Sequence, residues 1–241
     1  MLSASLRAHA AVPFMNPMNE REVDGAIAAL ALSPGARVVE TGCGTGEMVL
    51  RVLAAHPGAT GVGVDVDGDA LGRAREAAAR RVPGRSPSWV QAAVAEAGLE
   101  AGGFDLVVNV AASHAHGGFP GARGSLAALA RPDGGLVLFG EGYWTREPSA
   151  EFLVALGGAT ADGLPLGLDA LLAAARDVGL EPVAVAACSE ADLAAYEEGL
   201  AAEAERYDDA EAIAYARRIR DRRALPGGAS TLGFALVTLR R

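Results

Sequence analysis

The run Ala36-Arg-Val-Val-Glu-Thr-Gly-Cys-Gly-Thr-Gly46 limits the folds open to this chain more than any other stretch. A short apolar run ends in an acid, Glu40, and then in glycines at alternate positions, Gly42, Gly44 and Gly46. The apolar run reads as a buried parallel strand. Glycines after it let the backbone turn tightly and let a ligand approach it closely. Glu47 to His56 reads as a helix, so the turn lies at a helix N-terminus, where unpaired N–H groups hold a carboxylate or phosphate.

The glycine spacing narrows the ligand. The dinucleotide fingerprint needs a third glycine three residues after the second. Glu47 stands there instead, and its carboxylate repels a pyrophosphate. The phosphate-loop pattern fails because no Lys-Ser/Thr pair follows. The acid-x-Gly-x-Gly-x-Gly order resembles motif I of the class I S-adenosylmethionine-dependent methyltransferases. By motif the resemblance covers roughly residues 36–145, and by strand count the rest.

Alternating strands and helices give a parallel sheet with right-handed crossovers. The helix after Asn19, with Glu22 at capping-box spacing, presents Val23, Ile27 and Leu30 on one face and stops at Pro34-Gly35. Further strands are expected at residues 60–66, 89–94, 104–111, 136–140, 182–187 and 231–239. Asp67 caps the helix between the second and third. Helices follow Ser149, Leu168, Ser189 and Ala210, and residues 1–17 read as irregular. The resemblance implies an α/β fold, a seven-stranded, mostly parallel doubly wound sheet with an antiparallel last strand. Residues 1–35 are expected to form an N-terminal segment and helix that cap a methyltransferase domain at 36–241. Extra helices, an insertion at about 190–224, are expected to cover the site.

The resemblance also implies a cofactor, S-adenosyl-L-methionine, with S-adenosyl-L-homocysteine as product. Its tail falls to Glu40, Thr41, Gly42, Cys43, Gly44 and Gly46. Asp65, at the end of the second strand, matches the acid that accepts from both ribose hydroxyls. Asp67 suits a helix cap better. No carboxylate stands at the third motif, so Ala93 and Val94, with Val66, are left to hold adenine through backbone and apolar faces. Asn109 to Gly118 leaves the fourth strand at the edge where open α/β sheets bind ligands, which makes Asn109 a cofactor contact and Ser113 and His116 substrate contacts. His114 is the preferred general base, with Glu141 second. Phe14, Asn16, Tyr143 and Trp144 are candidate pocket residues, although the two aromatics serve equally to seat the helices after Ser149. Cys43 reads as a small packing residue, since no His or Lys beside it lowers its pKa. The two histidines lack a third ligand in sequence, and no metal site is expected.

The implied reaction is in-line displacement, an O, N or C nucleophile of a small-molecule acceptor taking the sulfonium methyl. The signature of amino-directed DNA methyltransferases is absent, since Val110 and Ala111 follow Asn109. The formal charge of −9 argues against general affinity for nucleic acid or an anionic membrane. The Arg217, Arg218, Arg220, Arg222 and Arg223 run reads as a solvated helix end that complements the helix dipole. Two cysteines form no disulfide framework, residues 1–13 make a poor signal peptide, and no apolar run approaches a membrane span. A cytoplasmic monomer or homodimer is the resulting expectation. Two other readings remain: a catalytically silent S-adenosylmethionine-binding protein, and an NAD-dependent oxidoreductase.

Overall fold

The computed structural model describes residues 4–9 and 12–241. Part of the N-terminal stretch read as irregular, and as a poor signal peptide, lies outside them. In order the elements are α1 (Ala4–Ala8), α2 (Glu20–Ala28), β1 (Arg37–Thr41), α3 (Glu47–Ala55), β2 (Thr60–Asp65), α4 (Gly68–Arg81), β3 (Ser88–Gln91), β4 (Leu106–Val110) and α5 (Phe119–Leu129). They continue as β5 (Leu136–Trp144), α6 (Ala150–Ala155), α7 (Leu168–Arg176), β6 (Glu181–Ala187), α8 (Glu190–Ala204), α9 (Ala210–Ala224) and β7 (Leu232–Arg240).

The strands form a seven-stranded sheet in the order β3-β2-β1-β4-β5-β7-β6, with the last strand antiparallel. β1 pairs in parallel with β2 on one side and with β4 on the other. The order therefore reverses beside β1, and ligands of open α/β sheets bind in the crevice at that switch point. The glycine turn leaves β1 there.

Local chemistry fixes the elements. Val38 and Val39 are buried on opposite faces of β1, and α3 packs on the sheet with Met48, Val49, Leu50, Val52 and Leu53 buried. Asp67 caps α4, its Oδ1 accepting from Asp69 N at 2.9 Å and Ala70 N at 3.0 Å. Such a cap is worth about 1 kcal/mol. Ser189 caps α8 by accepting from Asp192 N at 3.1 Å, and its hydroxyl returns a bond to the Asp192 carboxylate at 2.6 Å.

The chain divides into two compact units. A sheet unit comprises residues 21–141, 172–186 and 236–241, and a helical unit comprises the described residues up to 20 with 142–171 and 187–235. In the helical unit α1, α8 and α9 meet through small side chains, Ala4, Ala8, Ala201, Ala204, Ala212 and Ala216, sealed by Leu200 and Ile219. Small residues let helix backbones approach closely, so the stripe acts as a packing surface.

Three expectations are corrected here. Residues 4–8 are helical; α1 is too short to show a period, and tertiary bonds hold it, with Arg7 Nη1 donating to Asp209 at 2.7 Å and Ala4 N to Glu211 at 3.1 Å. β3 ends at Gln91, and residues 94–96 turn as a 3-10 helix. The arginine run is mostly not a solvated end. Arg222 Nη2 donates to the buried Glu197 at 2.5 Å, Arg223 binds the second Glu197 oxygen, and Arg220 bonds Glu198 and Glu205. These pairs fasten α9 to α8.

Candidate functional site

Within the sheet unit, the carboxyl ends of β1, β2 and β4 bring most of the expected cofactor residues together. Gly42, Gly44 and Gly46 all have positive φ, at 67°, 51° and 74°, a region that favours glycine. Their surroundings differ. A Cβ on Gly42 would lie 2.6 Å from Ala112 Cβ, so this glycine admits the loop after β4. A Cβ on Gly46 would lie 2.4 Å from the Trp89 ring. Gly44 alone of the three has nothing within 4 Å of that direction. Gly46, expected against the cofactor, thus gives its open side to Trp89, which Gly63 on β2 also accommodates. The sequence signal was available: a large ring on β3 needs small residues beside it.

Asp65 ends β2 against this turn. Its Oδ2 accepts from Gly44 N at 2.7 Å and its Oδ1 from Asp67 N at 2.9 Å. Each carboxylate oxygen accepts more than one bond, so capacity remains for a diol. Glu40 is buried on β1, and its Oε2 accepts from Val49 N at 2.8 Å, in the first turn of α3. Burial is the main cause that pushes its carboxyl up to about 8, with the Glu47 and Asp65 charges adding and the Val49 bond opposing. Cys43 is buried, and burial pushes its thiol up strongly, which fits a packing role.

Asn109, fully buried on β4, donates from Nδ2 to Thr41 O at 3.0 Å, to Thr41 Oγ1 at 3.1 Å and to Ala112 O at 3.2 Å. It ties the β4 loop to the base of the glycine turn. Its Oδ1 has no partner among the described residues, an acceptor that invites a donor. Ala111, next in this loop but one, holds φ 55°, and among the described residues no other non-glycine has positive φ. Such strain persists where its surroundings over-determine the backbone.

His116 is fastened on both sides, Nδ1 to Ser125 Oγ at 2.9 Å and Nε2 to Thr41 Oγ1 at 2.9 Å. Burial, then the His114 charge, lowers its pKa. Both ring nitrogens are engaged within the chain, so His116 acts as a strut between α5 and β1. Ser125 was not foreseen, because it stands nine positions further along the chain, beyond a loop and the start of a helix. His114 is exposed in the same short helical turn, and Ser113 is half-buried. Val94, His116, Ser125 and Leu129 line a cavity of about 510 Å³, and Val66 is 66% exposed. Glu141 is buried on β5.

Residues 38–134 match a family model described as a methyltransferase domain. The match is confined to those residues, and the whole sheet has the class I methyltransferase fold. YjhP of Escherichia coli (strain K12), described as an uncharacterized protein, is 29% identical over 174 residues, which cover 70% of this chain. The match spans 66% of YjhP, just under two thirds of its length. The X-ray structure of YjhP aligns over 98% of both chains with TM-score 0.81 and 25% identity. A methyltransferase from Geobacter sulfurreducens, in complex with S-adenosyl-L-homocysteine, aligns over 99% of both with TM-score 0.82 and 24% identity, a likeness of fold. The [4+2]-cyclase SpnF shares the fold over 92% of this chain and 80% of its own, with TM-score 0.69 and 20% identity. S-adenosylmethionine is the cofactor of this methyltransferase class. The residues present fit it: an unfilled direction at Gly44, a carboxylate at Asp65 with acceptor capacity left, and an exposed apolar side chain at Val66.

The other candidate residues lie in the helical unit. β5 was expected to stop near Gly140 but runs on to Trp144, so Glu141 to Trp144 are strand residues and not a loop. Trp144 is 1% exposed, donates from Nε1 to Ala161 O at 2.7 Å and packs edge-on against Phe152 of α6. It seats the helix after Ser149 and is not a pocket residue. The Tyr143 ring fills the space that Gly233 leaves open, and burial raises its pKa. Phe14 is buried, and the buried Asn16 accepts from Met18 N at 3.0 Å, an Asx turn leading into α2. These side chains are spent on structure.

Proposed function

We propose that the protein transfers a methyl group from S-adenosylmethionine to a small-molecule acceptor carrying an O, N or C nucleophile. The placement of Asp65 carries this reading. A carboxylate at the end of β2 lies hydrogen-bonded to the N–H of the one turn glycine whose outward direction is open. The cofactor, when bound, supplies a methyl already activated by the sulfonium. Asp65 accepts from the ribose hydroxyls, and the turn from Glu40 to Gly44 holds the amino-acid tail. Val66, Ala93 and Val94 flank the base, and the Asn109 Oδ1 offers an acceptor. The protein's contribution is then alignment and exclusion of water. A base is needed only for an acceptor that loses a proton. The exposed His114 takes that proton, with the buried Glu141 second. The acidic surface favours a small acceptor over nucleic acid. We place the protein in the cytoplasm, as monomer or homodimer.

The second reading is the same fold binding the cofactor without methyl transfer. The [4+2]-cyclase SpnF supports it, since that fold neighbour is named for another chemistry. So does His114, exposed and with no side-chain hydrogen bond among the described residues to orient it. Calorimetric titration with S-adenosylmethionine, S-adenosylhomocysteine and NAD(H) tests the first step. Heat from NAD(H) alone rejects the proposal. Incubation with S-adenosylmethionine and an acceptor panel tests the second, and a mass gain of about 14 Da on an acceptor establishes transfer.

A further inference from the structure

We propose that a cavity in the helical unit binds a small amphipathic carboxylic acid. The cavity has a volume of about 250 Å³. That is room for about eight water-sized groups, and so for an acyl chain of similar carbon number. Leu156, Leu193, Leu200, Ile219 and Phe234 supply apolar walls, and Tyr196, Glu197, Tyr215, Arg218 and Arg222 supply the polar groups.

The polar groups separate into spent and unspent. Both Glu197 oxygens are taken, one by Arg222 and one by Arg223. His9 Nδ1 faces the Ser5 carbonyl at 2.6 Å, so Nδ1 carries the proton and Nε2 accepts from Tyr196 OH at 2.8 Å. The Tyr196 proton is therefore used. Tyr215 OH lies a long 3.4 Å from Ser5 Oγ and has no other hydrogen-bond partner among the described residues, so its proton is free to turn to a better acceptor. Arg218 lies three residues on along α9, its guanidinium 5.8 Å from the centre of the Tyr215 ring. Its neighbours Arg217, Arg220, Arg222 and Arg223 each pair with a carboxylate, whereas Arg218 pairs with none among the described residues. Residues i and i+3 share a helix face. One phenol proton and one unmatched guanidinium thus border an apolar cavity, which calls for a ligand with one negative charge, two acceptor oxygens and a hydrophobic body. A carboxylate meets both donors. A phosphate dianion brings more charge than one guanidinium balances.

All the lining residues belong to the helical unit, so the proposal does not depend on methyl transfer. The test is calorimetric titration of the full chain with octanoate and, in parallel, with octanol. Octanoate is expected to saturate a single site and to bind more tightly than octanol. Arg218→Gln, at an exposed position, is expected to weaken octanoate by about tenfold or more and to leave octanol unchanged. Tyr215→Phe is expected to weaken octanoate by roughly fivefold. Leu200→Trp fills the cavity and is expected to remove binding of both probes, with far-UV circular dichroism and Trp144 emission showing whether the helical unit is folded. The proposal is overturned if octanoate fails to saturate, if octanol binds as well as octanoate, or if Arg218→Gln binds octanoate like the parent.

Discussion

Replacing Glu40 by Gln should change how the stability of this protein depends on pH. Glu40 is 4% exposed, and its carboxyl is pushed from an ordinary value near 4.5 up to about 8. Between those values the unfolded chain carries Glu40 ionised while the folded chain keeps it protonated. The unfolded state then binds fewer protons, so stability falls as pH rises, by about 1.4 kcal/mol per pH unit from this group. The contribution is fully present below pH 4.5 and is gone once pH passes 8. From pH 6 to pH 8 the loss is about 2 kcal/mol, because the folded group begins to ionise near the upper end. Gln has the shape of the protonated acid, accepts from Val49 N in the same way and does not titrate. Urea unfolding at pH 6, 7 and 8, read as midpoint and slope, should therefore show the parent losing about 2 kcal/mol more than Glu40→Gln. Equal pH dependence in the two proteins would refute the reasoning.

Other perturbations separate binding from support. Asp65→Asn should weaken S-adenosylhomocysteine by about tenfold to a hundredfold in calorimetry, the range for a charged hydrogen-bond acceptor. Gly46→Ala should destabilise the fold by about 2 kcal/mol or more, through the left-handed backbone and the Trp89 contact. Pairing it with Trp89→Phe should restore part of the contact penalty in a double-mutant cycle, and strict additivity of the two would count against the wedge. His114→Ala should leave the melting temperature unchanged and slow transfer to proton-losing acceptors by about a hundredfold or more. His116→Ala should instead lower stability by about 1–2 kcal/mol, because the Thr41 and Ser125 hydroxyls lose a partner. Glu197→Ala should cost about 3–5 kcal/mol in thermal unfolding, since it leaves Arg222, with a side chain 12% exposed, without its counter-ion.

The fold was legible because its signals are local. Apolar runs, glycine punctuation and side-chain caps at Asp67 and Ser189 each act within a few residues, and the strand count followed from them. The positions of Asp65 and Glu40, at strand ends beside an unmistakable turn, were legible for the same reason. What stayed hidden depends on partners distant in sequence. His116 looked like a substrate contact until Thr41 and Ser125 took both its nitrogens. Gly46 looked like a ligand glycine until Trp89, more than forty residues on, was found against it. The extension of β5 to Trp144 was hidden because Glu141, Gly142 and two aromatics break the apolar run that marks a strand. The arginine run looked solvated because Glu197 and Glu198 lie on a different helix.

The two tryptophans of this chain fall one to each compact unit, Trp89 behind the glycine turn and Trp144 in the packed interior around Phe152. Intrinsic emission is thus already a two-channel gauge. A Trp144→Phe protein glows only from the sheet half, and a Trp89→Phe protein only from the helical half. With that pair one denaturation experiment can tell whether the halves melt together or in turn, and which of them a given ligand quiets.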